Sequence, residues 1–195
     1  MATALLVAAV ANAQTTGKEV DRSSRSEAKA LEQEGWAVMQ GNPPLAQQLA
    51  ESRRIGQEVA ADDAKRYFTA TSTGSAGNYT AAKQIADCRA REELAESIHN
   101  AITRKINDRA ATSALDSKDI DAIKEYVSAS RSLILSQLQD VSSVIEIYRE
   151  KGKTCEVKVQ LKVDAAQALK NAGRTLQNDL SNRSPSLAAG LVKLL

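Results

Sequence analysis

Aromatic side chains are scarce in this chain, with one Trp, one Phe and four Tyr among 195 residues. So few rings offer no platform for stacking bases, and the core has to come from Ala, Ile, Leu and Val, which favour closely packed helices. Histidine occurs once, as His99, which excludes a multi-histidine metal site. The two cysteines, Cys88 and Cys155, lie far apart without zinc-ligand spacing. Neither sign of charge dominates, since 26 basic and 24 acidic residues are interspersed and sum to +2. That balance gives no footprint for a nucleic-acid partner. No apolar run reaches the about 20 residues that a membrane span requires. The length suits one domain with a real core.

What the chain does have begins at its N-terminus. Leu5 to Val10 is a short apolar run, followed by the small-residue pattern Ala11-Asn12-Ala13 and then by the polar Gln14. This pattern predicts a signal peptide over residues 1–13, cut between Ala13 and Gln14, although Met1 to Ala4 carry no basic residue. The expected location is the periplasm or the medium, with association at the outer membrane as a further place.

Residues 14–43 are expected to form a polar leader to about Ser26 and a short helix over Glu27 to Glu34, ended by Gly35. Gly41-Asn42-Pro43-Pro44 is a turn signal, after which a helix should run from Pro44 to about Asp63. Tyr67 to Thr73 is rich in strand formers and Gly74-Ser75-Ala76-Gly77 should close it as a turn. Asn78 or Thr80 can then cap a long helix whose apolar stripe is Ala82, Ala86, Ala90, Leu94, Ile98, Ile102 and Ile106, with Ile85 and Ala101 beside it. Asp116 or Ser117 starts the next helix, with Ile120, Ile123, Val127, Ile134 and Leu138 on one face.

Two strands follow, Val141 to Tyr148 and Cys155 to Val163, the second alternating cleanly, joined by a turn at Glu150 to Lys153. Asp164 caps a helix running toward Leu180, with Gly173 a weak point, and Pro185 breaks it. The order predicts an α+β fold, a small antiparallel or mixed sheet of about three strands packed by long amphipathic helices. It occupies a single domain over 44–184, with 185–195 as an apolar tail docked on the body or on another subunit.

No stretch assembles a catalytic set, a cofactor site or a metal site. His99 is about 16 Å along a helix from Cys88, too far for a dyad. Glu92 and Glu93 point to different sides of their helix, and Asp116, Asp119 and Asp121 suit a helix start better than a calcium loop. The Gly74 to Gly77 turn lacks the Lys-Ser or Lys-Thr of a phosphate loop, and Trp36 suits a hydrophobe that closes a core. Cys88 and Cys155 are either a helix-to-strand disulfide or two small buried hydrophobes, since sequence does not supply their distance.

The Thr-rich strand, the Gly-rich turn, the helix that spells Arg89-Ala90-Arg91-Glu92-Glu93-Leu94-Ala95-Glu96-Ser97-Ile98 and the later Val141 to Val163 hairpin together resemble a known family. Over about Tyr67 to Ala172 the chain resembles the Lpp-twenty type of bacterial envelope lipoproteins and their secreted relatives of unknown function. The resemblance implies an envelope protein with a compact α+β domain and no established enzymatic activity, and it supplies no catalytic residues. Lipid attachment in such proteins needs a Cys directly after the signal, where this chain has Gln14, so no acyl anchor is expected. The expected function is therefore a non-catalytic exported protein that acts by surface interaction, as a homo-oligomer or with an envelope partner. The alternative is a carrier of a small apolar ligand in a helix–sheet cavity beside Ala82 to Ala90.

Overall fold

The computed structural model describes residues 22–60 and 64–195; the expected signal peptide with its Ala13–Gln14 junction, and the leader up to residue 21, lie outside them. The fold is α+β. Helix α1 (22–33) is followed by α2 (Leu45–Gln57), β1 (Tyr67–Ala76), α3 (Tyr79–Ala110), α4 (Ser117–Ala129), α5 (Arg131–Ser136), β2 (Ser142–Lys151), β3 (Thr154–Asp164), α6 (Ala165–Arg183) and α7 (Pro185–Leu194). The three strands form one antiparallel sheet in the order β1-β3-β2.

Alternation in β3 decides the layering. Cys155, Val157, Val159, Leu161 and Val163 are buried on one face, and Glu156, Lys158, Gln160 and Lys162 point to the other. The apolar face lies under α3, whose stripe residues Ala82, Ala86, Ala90, Leu94, Ile98, Ile102 and Ile106 are all buried. Small residues in the first half of α3 bring its backbone down onto β1, and the larger ones in the second half fill the space left by α4, α6 and α7. The Asn78 side chain caps α3 by accepting the Ala81 N–H at 2.9 Å.

A second, smaller core lies across the sheet. Ala28 of α1, Trp36, Leu45, Leu49 and Ile55 pack on Val144, Ile145 and Ile147 of β2. A bulge between Ser143 and Ile145 breaks the alternation, which is why Val144 and Ile145 are both buried. Arg149 stands over the Trp36 ring at 4.6 Å.

Several boundaries differ from the sequence expectation for identifiable reasons. The first helix already spans residue 22, because Ala28 and the fully buried Ser24 sit against the second core, so the leader does not extend to Ser26. Helix α2 ends at Gln57 rather than near Asp63; Glu58 turns extended and Val59 bridges to Lys65, which leaves Val59 exposed. Strand β1 runs straight through Gly74 to Ala76 instead of turning there, because the glycine serves a close approach of α3. The helix expected from Asp116 to Leu138 is broken at Ser130, whose hydroxyl donates to the Tyr126 carbonyl at 2.6 Å. Residues 185–195, expected as an apolar tail docked on the body or on another subunit, form a helix: Pro185 opens α7, which buries Ala188, Leu191 and Leu194 in the main core.

Candidate functional site

Polar side chains converge where the two cores meet, around Glu146. On β2 this residue pairs with Val159, so its side chain points to the α3 face of the sheet. Lys83 Nζ lies 2.9 Å from Glu146 Oε2 and 3.0 Å from Asp87 Oδ2. The Tyr79 hydroxyl and the Asn42 amide, the latter at 3.2 Å, both donate to Glu146 Oε1. Tyr79, Lys83 and Asp87 share one side of α3 at four-residue spacing, so one helix delivers a hydroxyl and an ammonium to Glu146 and a second carboxylate to the ammonium. From the other side, Gln48 accepts the Glu146 backbone N–H at 2.7 Å and donates to the Pro43 carbonyl at 2.7 Å. Tyr79 also meets Tyr148 edge-on, with ring centroids 5.6 Å apart.

The electrostatics follow from this pairing. Burial raises the Glu146 carboxyl, but the hydrogen bonds from Lys83, Tyr79 and Asn42 and the charge of Lys83 outweigh it, and the net pKa is below the ordinary value. Burial lowers the Lys83 ammonium, and Glu146 and Asp87 reverse that, holding its pKa above the ordinary one. Burial and the Glu146 carboxylate push the Tyr79 phenol up. A tyrosine four residues before a lysine can serve as a general base only if the cation lowers the phenol's pKa. Here the phenol donates to a carboxylate and its pKa moves the other way. The arrangement is an internal joint that ties the turn at Asn42 and helix α2 to α3 and β2.

This joint sets a pH dependence. Glu146 has a depressed folded pKa, so its contribution to stability is complete above the unfolded value of 4.5 and is lost as pH falls through the lower folded value. Tyr79 and Lys83 have raised folded pKa values, so their contributions are complete below 10.0 and 10.5 and are lost as pH climbs past them. Urea unfolding should therefore show a plateau between about pH 5 and 9 with a fall on each side. Tyr79→Phe should make the alkaline fall shallower; an identical alkaline limb in that variant would contradict the assignment.

Depressions also lie elsewhere on the described residues. A small cleft of about 60 Å³ sits between α5, the end of β3 and α6, near Ile98, Ile134, Asp140, Val163 and Asn171. Part of its polar rim is engaged internally: Asp164 accepts the Gln167 N–H at 2.9 Å, and Gln167 donates to Asn171 at 2.8 Å. A shallower groove runs past Tyr126, Ser132 and Arg183. The Tyr126 hydroxyl there bonds the Leu176 carbonyl at 2.9 Å and Asp179 Oδ2 at 3.0 Å, fastening α4 to α6.

No family model, curated protein or solved structure matches this chain.

The residues singled out from the sequence do not come together. Cys88 and Cys155 form no disulfide: Cys88 is exposed on the outer side of α3, while alternation along β3 turns Cys155 into the core, where burial pushes its thiol up. His99 is half-buried and its Nε2 lies 2.9 Å from the Val127 carbonyl, an α3-to-α4 contact. Asp116 caps α4 by accepting the Lys118 N–H at 2.8 Å, and Asp119 stands in its first turn. Glu92 and Glu93 are exposed. Among the described residues no group of three His, Cys, Asp or Glu is placed to hold a metal ion, and no helix is long and apolar enough to cross a membrane. Ala82, Ala86 and Ala90 are fully buried, and the first two turns of this stretch lie against Gly74 of β1.

The Glu146 cluster escaped sequence reasoning, and its signals were faint. One is Tyr79-x-x-x-Lys83 within a helical stretch, and the other is an acid in a strand whose neighbours are Ile145 and Ile147. Asn42 and Gln48 carry no signal at all, since their roles depend on how the N-terminal helices fold back over β2.

Proposed function

We propose that this protein is a non-catalytic bacterial envelope or secreted protein that works through its surface, by self-association or by binding a protein partner. The observation that carries this reading is that the carboxylate, ammonium, phenol and amides gathered around Glu146 bond among themselves, with Asp87 Oδ1 the one buried atom of the cluster that has no hydrogen-bond partner. Glu146, Tyr79, Lys83, Asn42 and Gln48 bond to one another and to the backbone, and the pKa shifts of Glu146, Lys83 and Tyr79 favour the ionised carboxylate, the ammonium and the neutral phenol. No member of that set is left as a nucleophile or base.

Export rests on the apolar run and the Ala11-Asn12-Ala13 pattern, and the envelope assignment on the resemblance to Lpp-twenty type proteins. With Gln14 after the cleavage pattern, the mature form carries no acyl chain on this reading. Mass spectrometry of the protein isolated from its native cells tests export directly. The expected result is a chain that starts at Gln14 in the periplasmic or extracellular fraction; an uncleaved chain among cytosolic proteins would overturn the reading.

A further inference from the structure

We propose that β1 is an association edge, along which two copies of this chain pair their β1 strands antiparallel about a two-fold axis through Thr71. The two sheets become one of six strands with the α3 helices side by side. This inference rests on the self-association reading above and names its surface.

The two edges of the sheet are treated differently. Along β2, Gln48 takes the Glu146 N–H, Tyr148 exchanges two backbone bonds with Ala37 at 2.7 and 2.9 Å, and a bulge interrupts the strand near Ser143. These are the devices by which proteins close an edge. Because Glu146 and Tyr148 turn outward, their partners Val159 and Val157 direct their ladder bonds to Ser72 and Gly74 of β1. Thr69, Thr71, Thr73 and Ser75 consequently turn their N–H and C=O groups away from the sheet. Among the described residues no strand or bridge meets that edge, and Arg89 donates to the Thr73 carbonyl at 3.0 Å. Strand β1 has no charged residue, no proline and no break in its ten-residue register with β3.

The strand is also self-complementary. Outward positions are symmetric about Thr71, so Thr69 pairs with Thr73 and Tyr67 with Ser75 of the second copy, all uncharged. Gly74 lies against Ala82 and Ala86 of α3. Three residues back along β1 is about 10 Å, or about six to seven residues of helix, so the axis passes α3 between Arg89 and Glu92. Arg89 of each copy then stands level with Glu92 of the other. It leaves the Thr73 carbonyl, which accepts the Thr69 N–H of the second copy. Ile85, 36% exposed and among the few large apolar side chains open to solvent, is one turn from Arg89 on the same side and becomes covered.

Cys88 supplies the test, since it is exposed beside this face while Cys155 is buried. A flexible bismaleimide added to the full chain should yield a covalent dimer that Cys88→Ser abolishes. Thr71→Lys places like charges at the axis and Ile85→Glu places one under the opposing helix; both side chains are exposed, so folding by circular dichroism should be unchanged. Each should raise the dimer dissociation constant by about tenfold or more, read from sedimentation. A dimer that survives both substitutions, or that Cys88 does not cross-link, overturns the β1 edge and leaves self-association standing. A wild-type chain that stays monomeric overturns both.

Discussion

Gly74→Ala should abolish or severely weaken folding. A Cβ at this position would stand 2.1 Å from the Ala82 carbonyl oxygen and 2.7 Å from the Ala86 nitrogen, both backbone atoms of α3 that cannot rotate away. Accommodating a methyl group means lifting α3 from the sheet along the turns where Ala82, Ala86 and Ala90 pack tightest. The expected loss is about 3 kcal/mol or more, beyond an ordinary overpacked site because no flexible side chain can yield. Gly77→Ala is the matched control, since nothing lies within 4 Å of its added Cβ. That change should stay within about 0.5 kcal/mol in urea unfolding. Equal effects for the two glycines would mean that the β1–α3 contact is not as close as described.

Truncating Leu191 should cost nearly as much. Its side chain is fully buried in the main core, where α7 lies against α3, α4 and α6. Leu191→Ala should lower stability by about 2–5 kcal/mol, the range for a leucine whose cavity cannot collapse. The adjacent Val192 is 49% exposed, and Val192→Ala should change stability by less than about 0.5 kcal/mol. The contrast between neighbours tests whether residues 185–195 belong to the domain. Similar small effects at both positions would contradict the packing of α7 in the main core.

The fold was largely legible because its strongest elements carry strong periodicity. The α3 stripe recurs over seven turns, and β3 alternates for nine residues without interruption. Patterns of that length survive tertiary context. Boundaries failed where a distant contact overrode a local signal. Gly74 reads as a turn residue, yet it is needed for the approach of Ala82, which is invisible until α3 is laid on β1. Ser130 breaks a helix whose apolar spacing runs on to Leu138, through a hydroxyl-to-carbonyl bond that periodicity does not register. The candidate site was less legible still. Its members come from the Asn42 turn, α2, α3 and β2, separated by up to 104 positions, and only the packing of two cores across one sheet brings them together.

That packing also bears on the functional reading. Polar groups at the junction hold the N-terminal helices over β2, and in doing so they close one sheet edge with Gln48 and Ala37. The opposite edge is left to β1. A surface that can extend its own sheet suits a protein that assembles rather than reacts.

Sedimentation equilibrium of the full chain over about a hundredfold range of concentration is the most direct measurement of that claim. The predicted result is a mass that rises with concentration from one chain to two and then levels off. A mass of one chain across the whole range would contradict it.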